Sequence, residues 1–246
     1  MTRTLAVFGA GPALGLATAR RFGAEGYRIA LVARDRVKLD RLEKELADGG
    51  VETFGVTADL TDLAEARAAS VAITDRFGTP DVLLYSPGDI SRLPVGALEL
   101  DAEELATWLP LNLFTPIALV RSVLPDMLAR GSGALLFAQG ASARVPMPAL
   151  GSAGVAQSGL LNYLHALAAA VGPRGVYVGT LLIGALIERS AAAGLWDGGG
   201  FDSLEVGSLP RVDPDTLAQR YWELVRDRPG VEELVGQVAA AGGGDS

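Results

Sequence analysis

Short apolar runs closed by Gly, Pro or Asp alternate along the chain with longer amphipathic stretches. This is the pattern of a parallel sheet whose strands are joined by right-handed helical crossovers. It predicts strands near Leu5–Phe8, Arg28–Ala33, Val51–Val56, Val82–Tyr85, Ala134–Ala138 and Val176–Leu182. Helices are predicted near Leu14–Glu25, Val37–Ala47, Leu63–Phe77, Glu103–Arg130 and Gly151–Val171. Asp62 and Asp101 stand where side-chain oxygens accept the unpaired amides of a helix start, and Asp213-Pro214-Asp215 opens a further helix. From about residue 188 to 212 the alternation breaks into a Gly-, Ala- and Ser-rich stretch carrying Trp196 and Phe201, which predicts a flexible lid over the active cleft. Residues 239–246 are expected to be a frayed tail. The fold class is α/β, a three-layer doubly wound parallel sheet, with residues 1–246 forming a single domain.

Composition narrows the function classes. At 246 residues the chain is long enough for a sizeable core. A net charge of -8, without a Lys/Arg run, weighs against nucleic acid and against anionic membrane surfaces as partners. The chain has no Cys, which removes disulfides and thiolate catalysis, and a single His, which removes a multi-histidine metal site. No metal is expected. The N-terminus lacks a signal-peptide pattern, and the longest apolar run, Val176–Ile187, is too short to span a bilayer. A cytoplasmic protein acting on a small molecule is the expectation.

Gly9-Ala10-Gly11-Pro12-Ala13-Leu14-Gly15 follows the first strand and opens the first helix. In that setting, backbone amides and the helix dipole favour a pyrophosphate. Gly9, Gly11, Leu14 and Gly15 are the candidate contacts. Ala33 ends the second strand where an NAD site would carry an acid, and Arg34 follows it. A guanidinium pairs with a ribose 2′-phosphate, so NADP is expected in preference to NAD. The alternative is a surface Arg34 paired with Asp35.

The glycine turn, together with Gly133–Leu161 (GALLFAQGASARVPMPALGSAGVAQSGLL), resembles the short-chain dehydrogenase/reductase family. The resemblance covers the chain to about Gly184. It implies a Rossmann-like fold, a nicotinamide cofactor, an oxidoreductase activity, and a homodimer or homotetramer built on the long helices. It also implies cofactor contacts at Asp59 and Leu60 beside adenine, Ser86 and Gly88 beside the ribose, and Ile183 and Gly184 beside the nicotinamide. Asp59 is equally a turn residue. The turn departs from the family's Thr-Gly-x-x-x-Gly-x-Gly, with Phe8 for the Thr and Ala13 for the middle Gly.

The family uses a Ser and a Tyr-x-x-x-Lys for proton transfer, supported by an Asn. Asn112 matches the Asn, but the other three positions hold Gly140, Ala153 and Gln157. No shift of alignment restores them, because there is no Lys after Lys44 and no Tyr between Tyr85 and Tyr163. Loss of a general acid costs about 10²–10⁴-fold and loss of an oxyanion donor about 10²–10³-fold. Ser142, Ser152 and Gln139 flank the vacated positions as substitute donors. Tyr163 and His165 lie about 15 and 18 Å farther along the helix, too far for direct replacement. Vacating a Tyr and a Lys predicts a larger, more neutral pocket for a bulky apolar substrate. The readings left open are an NADP-linked oxidoreductase with a non-standard proton donor, a non-redox cyclase, isomerase or lyase, and an inactive NADP- or partner-binding protein.

Overall fold

The computed structural model describes residues 2–204 and 208–236. Seven parallel strands form one sheet in the order β3-β2-β1-β4-β5-β6-β9. These are β1 (Thr4–Phe8), β2 (Arg28–Ala33), β3 (Thr53–Thr57), β4 (Val82–Tyr85), β5 (Gly133–Gly140), β6 (Val176–Ile183) and β9 (Glu232–Val235). Helices α1 (Leu14–Gly23), α2 (Arg36–Asp48) and α8 (Pro214–Asp227) cover one face, sharing a core with Leu5, Leu31 and Leu136 of the sheet. Helices α3 (Leu63–Phe77), α5 (Thr115–Arg130) and α6 (Gly151–Val171) cover the other, packing on Phe8, Leu83 and Phe137. The strands are nearly continuous apolar runs because both of their faces are covered. This is the doubly wound Rossmann-like arrangement expected.

Four helices start where an Asp side chain caps them: Asp35 accepts from Lys38 N–H, Asp62 from Ala64 and Glu65 N–H, Asp101 from Glu104 N–H, and Asp213 from Asp215 N–H. The predicted helix 103–130 is interrupted. It divides into α4 (Ala102–Leu109) and α5, joined by one π-helical turn, Pro110–Phe114, that carries Asn112. Pro110 has no N–H to give the preceding turn, and the Thr115 amide closes the wider loop on the Pro110 carbonyl. By length and composition Ala102–Arg130 would suffice to cross a membrane, but Leu119, Val120, Val123 and Met127 are buried against the sheet.

Among the described residues of the stretch expected to be a flexible lid, regular structure is present. Two-residue strands β7 (Leu186–Ile187) and β8 (Arg211–Val212) pair in parallel, and between them Ser190 caps the short helix α7 (Ala191–Asp197). The expected tail at 239–246 lies outside the described residues. The edge strand β9, which the hydrophobic pattern missed, pairs with β6 from Thr180↔Glu232 to Ile183↔Val235.

Candidate active site

The strand order changes direction between β1 and β4, and such a switch point opens a crevice at the carboxyl ends of the strands. Gly9 stands there with φ +93°, and a Cβ at this position would lie 2.5 Å from the Pro87 backbone. Glycine is therefore required twice over, by backbone conformation and by the close approach of the loop after β4. A Cβ at Gly11, by contrast, would meet nothing within 4 Å, which leaves open space above the turn. Helix α1 has no side-chain cap at Ala13, and its first turns bond from Leu16 N–H to the Gly11 carbonyl and Ala17 N–H to the Ala13 carbonyl. The amides of Leu14 and Gly15 belong to the first turn, where a helix has no intrahelical acceptor for them and a phosphate would be held. The buried Ser86 hydroxyl beside Gly9 also has no hydrogen-bond partner. An open cradle, free amides and an orphaned hydroxyl fit a dinucleotide.

Arg34 is half exposed and pairs at 3.4 Å with Asp89, not with Asp35. The Asp35 carboxylate is engaged elsewhere, accepting from Lys38 N–H as the cap of α2. Because β2 and β4 flank β1, the Arg34–Asp89 pair passes over the end of β1 and thus over the glycine turn. Burial raises the Asp89 pKa, but hydrogen bonds from Ser91 and the Arg34 charge outweigh it and hold the carboxyl below its usual range. Asp59 folds back on its own turn, accepting from Thr61 N–H at 2.9 Å and from the Thr61 hydroxyl at 2.8 Å. Leu60 is buried in the core under α3, and its carbonyl accepts from the Thr115 hydroxyl. Gly88 is open to the crevice, while the Gly184 amide is spent on the Val235 carbonyl.

At the far end of the crevice Gly140, Gln157 and Asn112, three of the residues that the sequence aligns with the family's catalytic positions, come together. Gln157, aligned in the sequence with the family's Lys, accepts from Gly140 N–H at 2.7 Å and donates to Asn112 Oδ1 at 3.2 Å. Asn112 in turn donates to the Trp108 carbonyl. A neutral bridge thus joins the end of β5, the middle of α6 and the π turn. Ala153 at the Tyr position is buried. The substitute donors separate cleanly. Ser152 is fully buried and exchanges hydrogen bonds with Val95 N–H and C=O, so it fastens the loop before α4 and cannot reach a ligand. Gln139 donates to the Gln157 carbonyl and accepts from Thr180, which spends both ends of its amide. Ser142 alone faces a cavity. Its Oγ lies 3.4 Å from where a Gly140 Cβ would sit, beside the vacated Ser position.

That cavity, about 190 Å³, is walled by Met147, Leu150, Ile183, Trp196 and Phe201 together with Ser142. Helix α7 contributes Trp196 to its wall, and Gln157 is not among its lining residues. Ordinary ligand pockets measure about 300–1,000 Å³. A larger depression of about 460 Å³ between the first turns of α3 and α5, lined by Arg67, Phe114 and Arg121, is open. Tyr85 is no substitute acid: its hydroxyl donates to the Leu111 carbonyl and burial pushes its pKa far up. His165 is half exposed on α6 and bonds Glu232 at 2.9 Å.

A model of the short chain dehydrogenase family matches residues 3–190. The chain belongs to the short-chain dehydrogenase family. Among curated members of that family it is 31% identical to granaticin polyketide synthase putative ketoacyl reductase 1 of Streptomyces violaceoruber, over 96% of this chain and 87% of that protein. It is 27% identical to dehydrogenase/reductase SDR family member 7B of Danio rerio, over 91% and 74%. A crystal structure of a variant actinorhodin polyketide ketoreductase with NADPH superposes with TM-score 0.82 at 25% identity, covering 96% of each chain. An NADPH-bound oxidoreductase of Pseudomonas aeruginosa PAO1, described as containing an atypical catalytic center, shares the fold at TM-score 0.79 and 24% identity, covering 95% of each chain. Within this short-chain dehydrogenase, sequence reasoning missed the Gln157 bridge and Asp89. The one signal for Gln157 was a neutral amide where the resemblance implies a Lys.

Proposed function

We propose that this single-domain short-chain dehydrogenase binds NADP and acts as an oxidoreductase on a small apolar molecule, with Ser142 in place of the family's Ser and no side chain in place of its Tyr and Lys. The reading rests on one juxtaposition: an open glycine turn with free amides at Leu14 and Gly15 at one end of the crevice, and an apolar cavity with a single hydroxyl at the other. Gly9, Gly11, Leu14 and Gly15 would hold the pyrophosphate, and Arg34 the 2′-phosphate. Ser86, Gly88, Ile183 and Gly184 would line the remainder, with Asp59 and Leu60 shaping the adenine end through their turn. The bound cofactor supplies a hydride.

The protein's own residues do the rest. Ser142 donates a hydrogen bond to the substrate oxygen, Trp196 and Phe201 exclude water, and Asn112 with Gln157 fixes Gly140 so that the cavity floor does not move. A Ser hydroxyl without a base is a weak proton donor, so the transferred proton comes from solvent. The Gln157 bridge favours a second reading, in which the nucleotide is held but no redox chemistry follows. Titration with NADPH, followed by nicotinamide fluorescence, tests the proposal. Saturable binding that weakens in Arg34→Ala supports it, and a folded protein that binds neither NADPH nor NADH refutes it. If NADPH binds but is never consumed across ketones, enones, imines and quinones, the second reading holds.

A further inference from the structure

The cavity wall imposes a chemical condition on whatever is reduced there. Among the described residues it holds one side-chain hydroxyl, Ser142, and no carboxyl, amine, imidazole or phenol. A ketone that accepts a hydride becomes an alkoxide, whose conjugate acid is about as weak as water, pKa about 16. A quinone that accepts a hydride becomes a phenolate-type anion, whose conjugate acid has a pKa of about 10. The difference makes the quinone product about 10⁶-fold less basic, which exceeds the roughly 10²–10⁴-fold that the missing general acid would supply. A substrate able to delocalise the new charge thus replaces what this site lacks.

The shape of the wall points the same way. Trp196 and Phe201 stand with ring centroids 5.7 Å apart at an interplanar angle of 37°, so together they present an aromatic wall to the cavity. Aromatic rings of this kind favour offset or edge contacts with another flat ring. Met147 and Leu150 add apolar walls, and about 190 Å³ admits a compact ring system and not an extended chain. No charged group lines the cavity, so a carboxylate- or phosphate-bearing ligand would be desolvated there without compensation.

We propose that the cavity between Ser142 and the Trp196–Phe201 pair binds a flat, uncharged, electron-poor bicyclic carbonyl compound of the quinone class, which serves as the hydride acceptor. The inference rests on the oxidoreductase reading above. In the reaction the C4–H bond of the dihydronicotinamide breaks with its electron pair and an O–H bond forms at one quinone oxygen. The ring becomes aromatic, and the second oxygen takes the negative charge while accepting a hydrogen bond from Ser142. The nicotinamide is oxidised and the quinone reduced by two electrons, and one proton from water completes the hydroquinone.

The test uses the full chain, without oxygen, with 1,4-naphthoquinone and its single-carbonyl analogue 1-tetralone. In the absence of nucleotide, naphthoquinone is expected to quench tryptophan emission saturably, and the quench is expected to disappear in Trp196→Phe, which leaves Trp108 and Trp222 in place. With NADPH, and after subtraction of the enzyme-free rate, kcat/KM for naphthoquinone should exceed that for tetralone by at least about 10³-fold and stay flat between about pH 6 and 9, because no group in the wall titrates there. Ser142→Ala should lower the naphthoquinone value about 10²-fold while leaving NADPH binding unchanged. Absence of saturable quenching overturns the proposal, as does turnover of tetralone within 10-fold of naphthoquinone. A saturable Trp196 quench in a protein that does not bind NADPH upholds the ring site and overturns the oxidoreductase reading beneath it.

Discussion

Replacing Gln157 by Ala removes two hydrogen bonds from the vacated centre. The Gly140 amide loses its 2.7 Å acceptor and Asn112 Oδ1 its 3.2 Å donor. A fully buried group stranded in this way costs about 1–3 kcal/mol. Gly140, Asn112 and Gln157 are only half-buried, so water recovers part of that, and we expect about 2–3 kcal/mol in total. Alanine's better helix propensity offsets only a few tenths of a kcal/mol. For a chain of this size each kcal/mol lowers Tm by about 2–4 °C, so the midpoint should fall by about 4–12 °C. Gln157→Glu is the internal control: its carboxylate still accepts from Gly140 but cannot donate to Asn112, so it should cost roughly half as much at neutral pH. Urea denaturation followed by circular dichroism, with an unchanged m-value, measures both. A Gln157→Ala protein within about 0.5 kcal/mol of wild type would show that the bridge carries no stability, and would refute the reasoning that Gln157 now serves structure where the family's Lys serves chemistry.

Asp89→Asn frees Arg34 from an exposed pair worth up to about 1 kcal/mol, so NADPH should bind up to about 5-fold more tightly, whereas Arg34→Ala should abolish the preference of NADPH over NADH; competitive fluorescence titrations read both. Tyr221→Phe deletes a fully buried hydroxyl that donates to the Phe137 carbonyl at 2.8 Å, and should cost about 1–2 kcal/mol by denaturant titration, with no change in nucleotide affinity. Burial raises the pKa of Tyr221 and pushes that of Tyr177 up to about 12, above the value of about 10 expected when unfolded. The folded state therefore holds these protons more tightly, its full stability persists below about pH 10, and it is lost as pH rises from about 10 towards 12. Thermal melts across that window should show a falling midpoint, and the fall should be shallower in Tyr221→Phe.

The helices and strands with clear periodicity and clear punctuation were legible in the sequence. Leu63–Phe77, opened by Asp62 and closed by Gly78, and Gly151–Val171, closed by Gly172, have the bounds that their patterns predict. Strand β9 was not legible, because Glu232-Glu233-Leu234-Val235 is an edge strand whose charges serve solvent and neighbouring basic groups, including Arg144 and Arg220. Helix α7 is short, and its cap, Ser190, is one serine in a small-residue run. At the site, the absence of Tyr and Lys could be counted directly. What replaced them could not, because Gln157 acts through Gly140 and Asn112, which come from separate elements. Ser142 and Ser152 are equivalent as letters. Only their placement, one on the cavity and one against Val95, separates a ligand contact from a loop fastener.

The central claim is that the nucleotide-binding scaffold is intact while its proton-transfer groups are missing. The most direct test is NADPH-dependent reduction of a simple ketone by the wild-type chain and by Gly140→Ser/Ala153→Tyr/Gln157→Lys, in which replacing Gln157 also removes the oxygen that a side chain at 140 would meet at 3.0 Å. With both proteins shown to bind NADPH and to unfold cooperatively, the account predicts that kcat/KM rises by at least about 10³-fold in the triple variant. A wild-type protein that already matches the triple variant on that ketone would contradict it.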